Sequence, residues 1–340
     1  MKRAARQAGV SLVELMIGIT IGLFLLIGVV SVFGNSNRVY TELNQASQQI
    51  ENGRFAVQIL TDDVGHAGFY GRYYGSLPVP GALPDPCEKT DVAVLRTGAA
   101  LHIQGYNAPA SSPITGCLPV ANHLAGTDIL VVRRADSNAT AIGSLTAAQV
   151  YVQANADPNE SLNPIIKLGA AANFTLLNKD ATTLAPIRKY HVHIYFVAPC
   201  SVPAGGGSVC TGAADDGGRP IPTLKRLELT LDSGGALDMV LTPLVEGIEN
   251  LQVDYGLDTD SDGAPNGAYV TAPASIADWQ NVVAVRLNVL ARNVDPSGGY
   301  TDTKQYDMGV AGLITPGGNY KRHVYNAVVR VINPSSRRDS

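Results

Sequence analysis

The sequence predicts an α+β protein: a long N-terminal α-helix, membrane-spanning in its first half, packed on an antiparallel β-rich globular domain. Three observations predict it. Residues 15–33 carry no charge, and only Thr20 and Ser31 are polar; this is about the length of a helix that crosses a hydrocarbon core. Behind them, Val39, Leu43, Ala46, Ile50, Gly53, Val57, Leu60 and Val64 recur at alternating steps of four and three, one apolar stripe along a helix. Beyond Gly71 the chain reads as short strands between turns, with abundant Gly (35) and Pro (20) and few aromatics.

Lys2, Arg3 and Arg6 precede Gly9. That basic leader predicts a cytoplasmic N-terminus and a globular part on the other side of the membrane. The helix runs from about Val10 to Val64, on the order of 80 Å. Its apolar first half surrounds a single acidic residue, Glu14, near the start. A secretory signal is the competing reading. Glu14 and the continuation of helical patterning beyond the apolar run count against it.

The clearest strands are residues 127–135, 190–198, 223–232, 281–292 and 323–332. In the fourth, Val283, Val285, Leu287 and Val289 alternate with Ala284, Arg286 and Asn288, the pattern of a half-buried strand. Without long helices to serve as crossovers, the pairing is antiparallel. The stripe from Val39 to Val64 needs a partner on one face only, and its small members Ala46 and Gly53 would let a strand approach closely. Residues 203–220 are Gly-rich and read as a flexible loop pinned by Cys210.

The four cysteines, Cys87, Cys117, Cys200 and Cys210, form no C-x-x-C and have no histidine at zinc-finger spacing. Their loop-like surroundings favour disulfides and an oxidising compartment. Three connectivities are open; the sequential one, Cys87–Cys117 and Cys200–Cys210, is preferred because each pair closes a short local loop. The formal charge of −4 and the absence of a basic patch give no sign of a nucleic-acid partner.

The motif 9-GVSLVE-14 resembles the class III leader of type IV pilins and type II secretion pseudopilins, with Val10 in place of the usual Phe after the cut. The resemblance implies that a prepilin peptidase cuts between Gly9 and Val10 and methylates the new amino terminus of Val10. It also implies that Glu14 is an assembly contact, paired in a filament with the positive amino terminus of an adjacent subunit. Residues 53–71, 244–263, 282–293 and 320–333 are similar to the helix end and C-terminal blocks of PilW-type minor pilins. Residues 75–220 carry no such likeness. The segments are therefore a leader at 1–9, a transmembrane and assembly helix at 10–34, and its amphipathic half with an exit loop at 35–71. A β-rich variable region at 72–220, a C-terminal β region at 221–334 and a tail at 335–340 complete the chain.

Asp258, Asp260 and Asp262, followed by Gly263, resemble the start of a calcium loop. Ala264 would add its carbonyl, and Asp278 or Asp254 would complete the shell. The twelfth loop position is Tyr269, which supplies no carboxylate, so a calcium site and a solvated Asp-rich turn stand as alternatives. Calcium is the sole cofactor considered, and none is required. His191 and His193 share one strand face; a metal pair is weighed there against satisfied strand residues, and the second is favoured. His66 reads as structural. Arg286, Arg292 and Arg330 could dock partner subunits from edge-like strands, although a solvated strand face is the default.

The sequence has no G-x-S-x-G elbow, P-loop or G-x-G-x-x-G, so no enzyme is expected. The resemblance implies a structural minor pilin that primes type IV pilus assembly at or near the tip. Its implied partners are other minor pilins, the major pilin and a large tip adhesin. It would wait in the inner membrane, globular part in the periplasm, before entering the pilus. The alternatives are a minor pseudopilin of a type II secretion system and a secreted β-rich hydrolase or binding module.

Overall fold

The computed structural model describes residues 9, 11–73, 75, 77–155 and 164–338. The cut-site residue Val10 and the basic residues Lys2, Arg3 and Arg6 lie outside them. Residues 1–48 form one unit and residues 49–340 a second. Helix α1, Leu12–Gly65, is the element that belongs to both.

In the first unit α1 is apolar on every face from Leu15 to Phe33 and turns polar beyond Gly34, where Arg38 pairs with Glu42. Large side chains from Leu12 through Phe33, including Ile19, Phe24, Ile27 and Val30, are all exposed. A helix segment apolar all round, with nothing packed on it among the described residues, is suited to lipid rather than water. It is long and apolar enough to cross a membrane.

In the second unit α1 buries Gln49, Gly53, Ala56, Leu60, Asp63 and Val64. The stripe read from sequence is thus rotated by about one residue: Gly53, Leu60 and Val64 are inward, whereas Ile50 is half-exposed. The cause is polar. The Gln49 amide donates to the carbonyls of Ala291 (2.9 Å) and Lys321 (2.8 Å), and Asp63 finds ionic partners on the sheet, so two polar residues occupy the buried face.

Strands β1 (Ile103–Tyr106), β2 (Ile129–Ala135), β3 (Val150–Gln153), β4 (Ile165–Leu168), β5 (Ile187–Ala198), β6 (Thr223–Leu231) and β7 (Leu237–Glu246) make an antiparallel sheet. Strand β5 is its spine, pairing with β2, β3 and β6. A second antiparallel sheet contains β8 (Ile248–Leu257), β9 (Val282–Arg292) and β12 (Arg322–Arg330), with β9 in the middle. The short pair β10 (Tyr306–Asp307) and β11 (Leu313–Ile314) stands apart. Short helices α2 (Val92–Gly98), α3 (Ile276–Gln280) and α4 (Ile332–Arg338) fill connections.

Alternation along β5 divides the core. Tyr195 and Val197 join Ala56, Leu60 and Val64 of α1 and the inner residues of β8 and β9. Tyr190, Val192, Ile194, Phe196 and Ala198 face a second cluster with Leu95, Ile114, Leu118 and both disulfides. The cysteines pair as Cys87–Cys117 and Cys200–Cys210.

Three local expectations change. Strand β9 is buried on both faces: Asn288 is inaccessible, accepting from the Asn326 amide at 2.6 Å and donating to Asp254 at 3.1 Å. Residues 203–220 are held by more than Cys210. The Asp215 carboxylate accepts from the backbone of Ala204, Thr211 and Gly212, and Asp216 from that of Ser201, Val202 and Ile221. Residues 335–338, expected in a tail, belong to α4, where Ser335 is fully buried and Asn333 donates to the carbonyl of Ala67 at 3.3 Å.

Candidate functional site

At its N-terminus α1 begins with a reciprocal cap. The Ser11 hydroxyl accepts from the Val13 N–H at 3.3 Å, and Glu14 reaches back to accept from the Ser11 N–H at 3.1 Å. A helix start leaves N–H groups without intrahelical partners, and a Ser with a carboxylate three residues on satisfies two of them. The acidic side chain also complements the positive end of the helix dipole. The signal for this cap, S-x-x-E at residues 11–14, was present in the sequence but was hidden by the apolar run around it. Gly9 is exposed; Val10, the residue expected to be methylated, lies outside the described residues.

The second polar constellation is in the other unit, where α1 ends over β2, β5 and β6. Register places Val132 and Glu228 on either side of His193, and Arg134 beside His191. The period of two along β5 then sets His191, His193 and Tyr195 on the face toward α1. Asp63, two residues before the end of α1, receives three groups. His193 Nδ1 lies 2.7 Å from Asp63 Oδ2, the Tyr195 hydroxyl donates to the same oxygen at 2.9 Å, and Arg134 Nε donates to Oδ1 at 2.6 Å. Glu228 lies on the other side: its Oε1 is 3.2 Å from His191 Nδ1, and Arg226 donates to Oε2 at 2.8 Å.

Electrostatics fixes the charge states. Burial works to raise the Asp63 carboxyl, but His193 and Arg134 outweigh it and hold it well below the usual range. Burial likewise raises Glu228, and the two histidines with Arg226 bring it far lower. For the histidines burial pulls down; it prevails at His191, while Asp63 and Glu228 reverse it at His193. The sequence offered the His191/His193 spacing but no hint of Asp63, which is 130 positions away.

The Asp-rich loop closes on itself. Asp258, buried, accepts from the Ser261 N–H (2.7 Å), the Gly263 N–H (3.0 Å) and Arg338 Nη1 (3.3 Å). Burial raises its carboxyl, but these donors keep it below the usual range. Oxygens of Asp258, Asp260 and Asp262 lie within 4.8 Å of one another, and Asp262 accepts from the Ala264 N–H at 2.8 Å. The two proposed additional ligands are engaged elsewhere. Asp278 forms the capping box of α3 with Ser275, and Asp254 pairs with Arg286 at 2.8 Å. Arg338 supplies positive charge to this loop from α4.

The arginines considered for docking are not in edge strands, apart from Arg330. Arg286 and Arg292 lie in the central strand β9; Arg286 sits over the Tyr269 ring and Arg292 over that of Tyr320, 3.8 Å from its centroid. Arg330 Nε donates to the Ser335 hydroxyl at 2.5 Å.

A family model described as type IV pilus-assembly protein W matches residues 209–333. That match supports a type IV pilus-assembly role. It covers β6 through β12, and so includes the sheet on which Gln49 and Gly53 of α1 pack. No curated protein and no solved structure matches the chain.

Proposed function

We propose that the chain is a minor pilin, a non-enzymatic subunit that helps prime type IV pilus assembly at or near the pilus tip. The observation that carries the reading is Glu14 in the first turn of a helix that is apolar on every face through Phe33. A lipid-stored helix of this kind can leave the bilayer only if neighbouring subunits bury it, because its apolar surface cannot be left in water. In the proposed mechanism a prepilin peptidase removes residues 1–9 at the cytoplasmic face. The freed helix then joins those of other minor pilins and the major pilin, while the periplasmic β domain stays folded throughout. The family match over residues 209–333 supports the pilus setting. A large adhesin at the tip is a further proposed partner.

The test is the mature amino terminus, read by mass spectrometry on protein from the membrane fraction. The reading expects a chain that starts at Val10 and is N-methylated. A chain that starts after about Gly34, recovered as soluble protein, would replace it with the secreted reading.

A further inference from the structure

His193 has one ring nitrogen that makes no hydrogen bond among the described residues and has only a longer ionic contact, with Glu228. Its Nδ1 is held by Asp63, an ionised carboxylate that can only accept, so Nδ1 carries the proton. The other nitrogen, Nε2, is buried and has no hydrogen-bond partner among the described residues. The His193 side chain is 3 % exposed. An unpaired buried polar atom costs on the order of 1–3 kcal/mol, which makes an occupant worth seeking.

Nε2 is aimed at Glu228 Oε1, 3.7 Å away, and the same oxygen is 3.2 Å from His191 Nδ1. The first separation is too long for a hydrogen bond. Zinc bonds of about 2.0–2.2 Å arranged tetrahedrally put neighbouring ligand atoms about 3.4 Å apart, which the two distances bracket. One ligand atom from each of His191, His193 and Glu228 lies within 4.8 Å of the others.

We propose that His191, His193 and Glu228 bind a single borderline divalent metal ion of the zinc class, with Asp63 as a positioning residue behind His193. Two imidazoles and one carboxylate suit zinc or its first-row neighbours, whereas calcium and magnesium take oxygen donors. A carboxylate on the far nitrogen of a ligating histidine fixes its tautomer and orientation and raises its basicity; Asp63 holds that place.

Two of the surrounding cations hold the outer oxygens of the carboxylates. Arg134 takes Asp63 Oδ1 and Arg226 takes Glu228 Oε2, so the oxygens toward the histidines are Oδ2 and Oε1. Lys189 lies 3.8 Å from Oε1 and donates to the Thr230 hydroxyl at 2.9 Å. Among the described residues Asp136, 3.6 Å from His191 Nε2, is the remaining charged group around the pair. The ion would tie β5 to β6 directly and, through Asp63, both strands to the end of α1.

The experiment uses full-length protein in detergent micelles, stripped with chelator and titrated with zinc chloride by calorimetry, with thermal unfolding followed in parallel. One equivalent per chain and a higher Tm with zinc are expected, with no matching response to magnesium. His193→Gln and Glu228→Gln should abolish uptake, and Asp63→Asn should weaken it by about 10- to 100-fold. His191→Gln, at the outer side of the cluster, keeps the test open should a buried variant fail to fold: its near-ultraviolet circular dichroism should be retained and its zinc affinity lost. Absence of zinc uptake by the wild type overturns the proposal. So does uptake that survives unchanged in folded His191→Gln, or uptake abolished by Asp258→Asn alone.

Discussion

Gly53 of α1 lies so close to the ring of Tyr325 in β12 that an added β-carbon would overlap three ring atoms. The Tyr325 hydroxyl meanwhile reaches 3.5 Å from the Gln49 carbonyl, one turn back along the helix. Two opposing terms act on Gly53→Ala. Helix propensity favours Ala by about 0.5–1 kcal/mol, and overpacking costs about 1–3 kcal/mol. The clash is with ring carbons inside the packed unit, so it should win and the variant should unfold at lower denaturant. In a Tyr325→Ala background the ring is gone, and Gly53→Ala should become neutral or stabilising. Equal effects of Gly53→Ala in both backgrounds would exclude the contact as the cause.

Asp128 gives the domain a pH dependence opposite to that of a paired carboxylate. It is buried, with Oδ1 accepting from Ala108 N–H and Oδ2 from Val253 N–H. Burial pushes it up to about 7; the two N–H donors pull the other way, and Asp254 adds repulsion. Tyr255 is its other titratable neighbour and stays neutral. Between about pH 4 and 7 the folded protein therefore holds a proton that the unfolded chain releases. The stability contributed by Asp128 is fully present below about pH 4 and is lost as pH rises to 7, at up to roughly 1.4 kcal/mol per pH unit. Denaturant titrations across this range should show a shallower fall with rising pH in Asp128→Asn than in the wild type. Parallel slopes would mean that Asp128 is ionised throughout.

The two disulfides should differ in effect. Sequence separations are 30 for Cys87–Cys117 and 10 for Cys200–Cys210. Loop-closure entropy then assigns about 3.7 kcal/mol to the first and about 2.8 kcal/mol to the second. The shorter loop is also fastened by Asp215 and Asp216, which reduces what its bond must restrain. Replacing Cys87 and Cys117 with Ser should lower stability more than the same change at Cys200 and Cys210, as read by thermal unfolding of each pair variant. The reverse order would show that the hydrogen-bonded loop depends on its bond.

What could be read from sequence followed from repetition. The α+β class, the long helix and strands β2, β5, β6, β9 and β12 were legible because each repeats its apolar pattern with period 3.6 or 2. Departures arise where a polar residue is buried with a distant partner. Gln49 and Asp63 turn the helix by one position, and Asn288 looks solvent-facing until Asp254 and Asn326 close around it. Periodicity sorts residues by polarity alone; it carries no information on which polar group will be satisfied across 130 positions. The candidate site at His193 was half-visible for that reason, as two histidines on one face without Asp63 or Glu228.

The role proposed for Glu14 must be separated from its role as a helix cap. Glu14→Ala removes both the charge and the acceptor for the Ser11 N–H, so poor pilus incorporation by that variant would be ambiguous. Glu14→Gln separates them, because Gln can serve in a capping box while lacking the charge. If an unpaired charge is penalised in the low-dielectric helix bundle and the pairing sets subunit register, Glu14→Gln should be cleaved and membrane-inserted normally yet recovered at low level in sheared pili. Ser11→Ala supplies the converse. It removes the hydroxyl half of the cap, at a cost of about 0.5–2 kcal/mol in helix stability, and leaves the carboxylate in place, so incorporation should stay near normal. Immunoblots of membrane and sheared-pilus fractions read both variants. Full incorporation of Glu14→Gln together with loss of Ser11→Ala would assign Glu14 to the cap and remove it from the assembly contact.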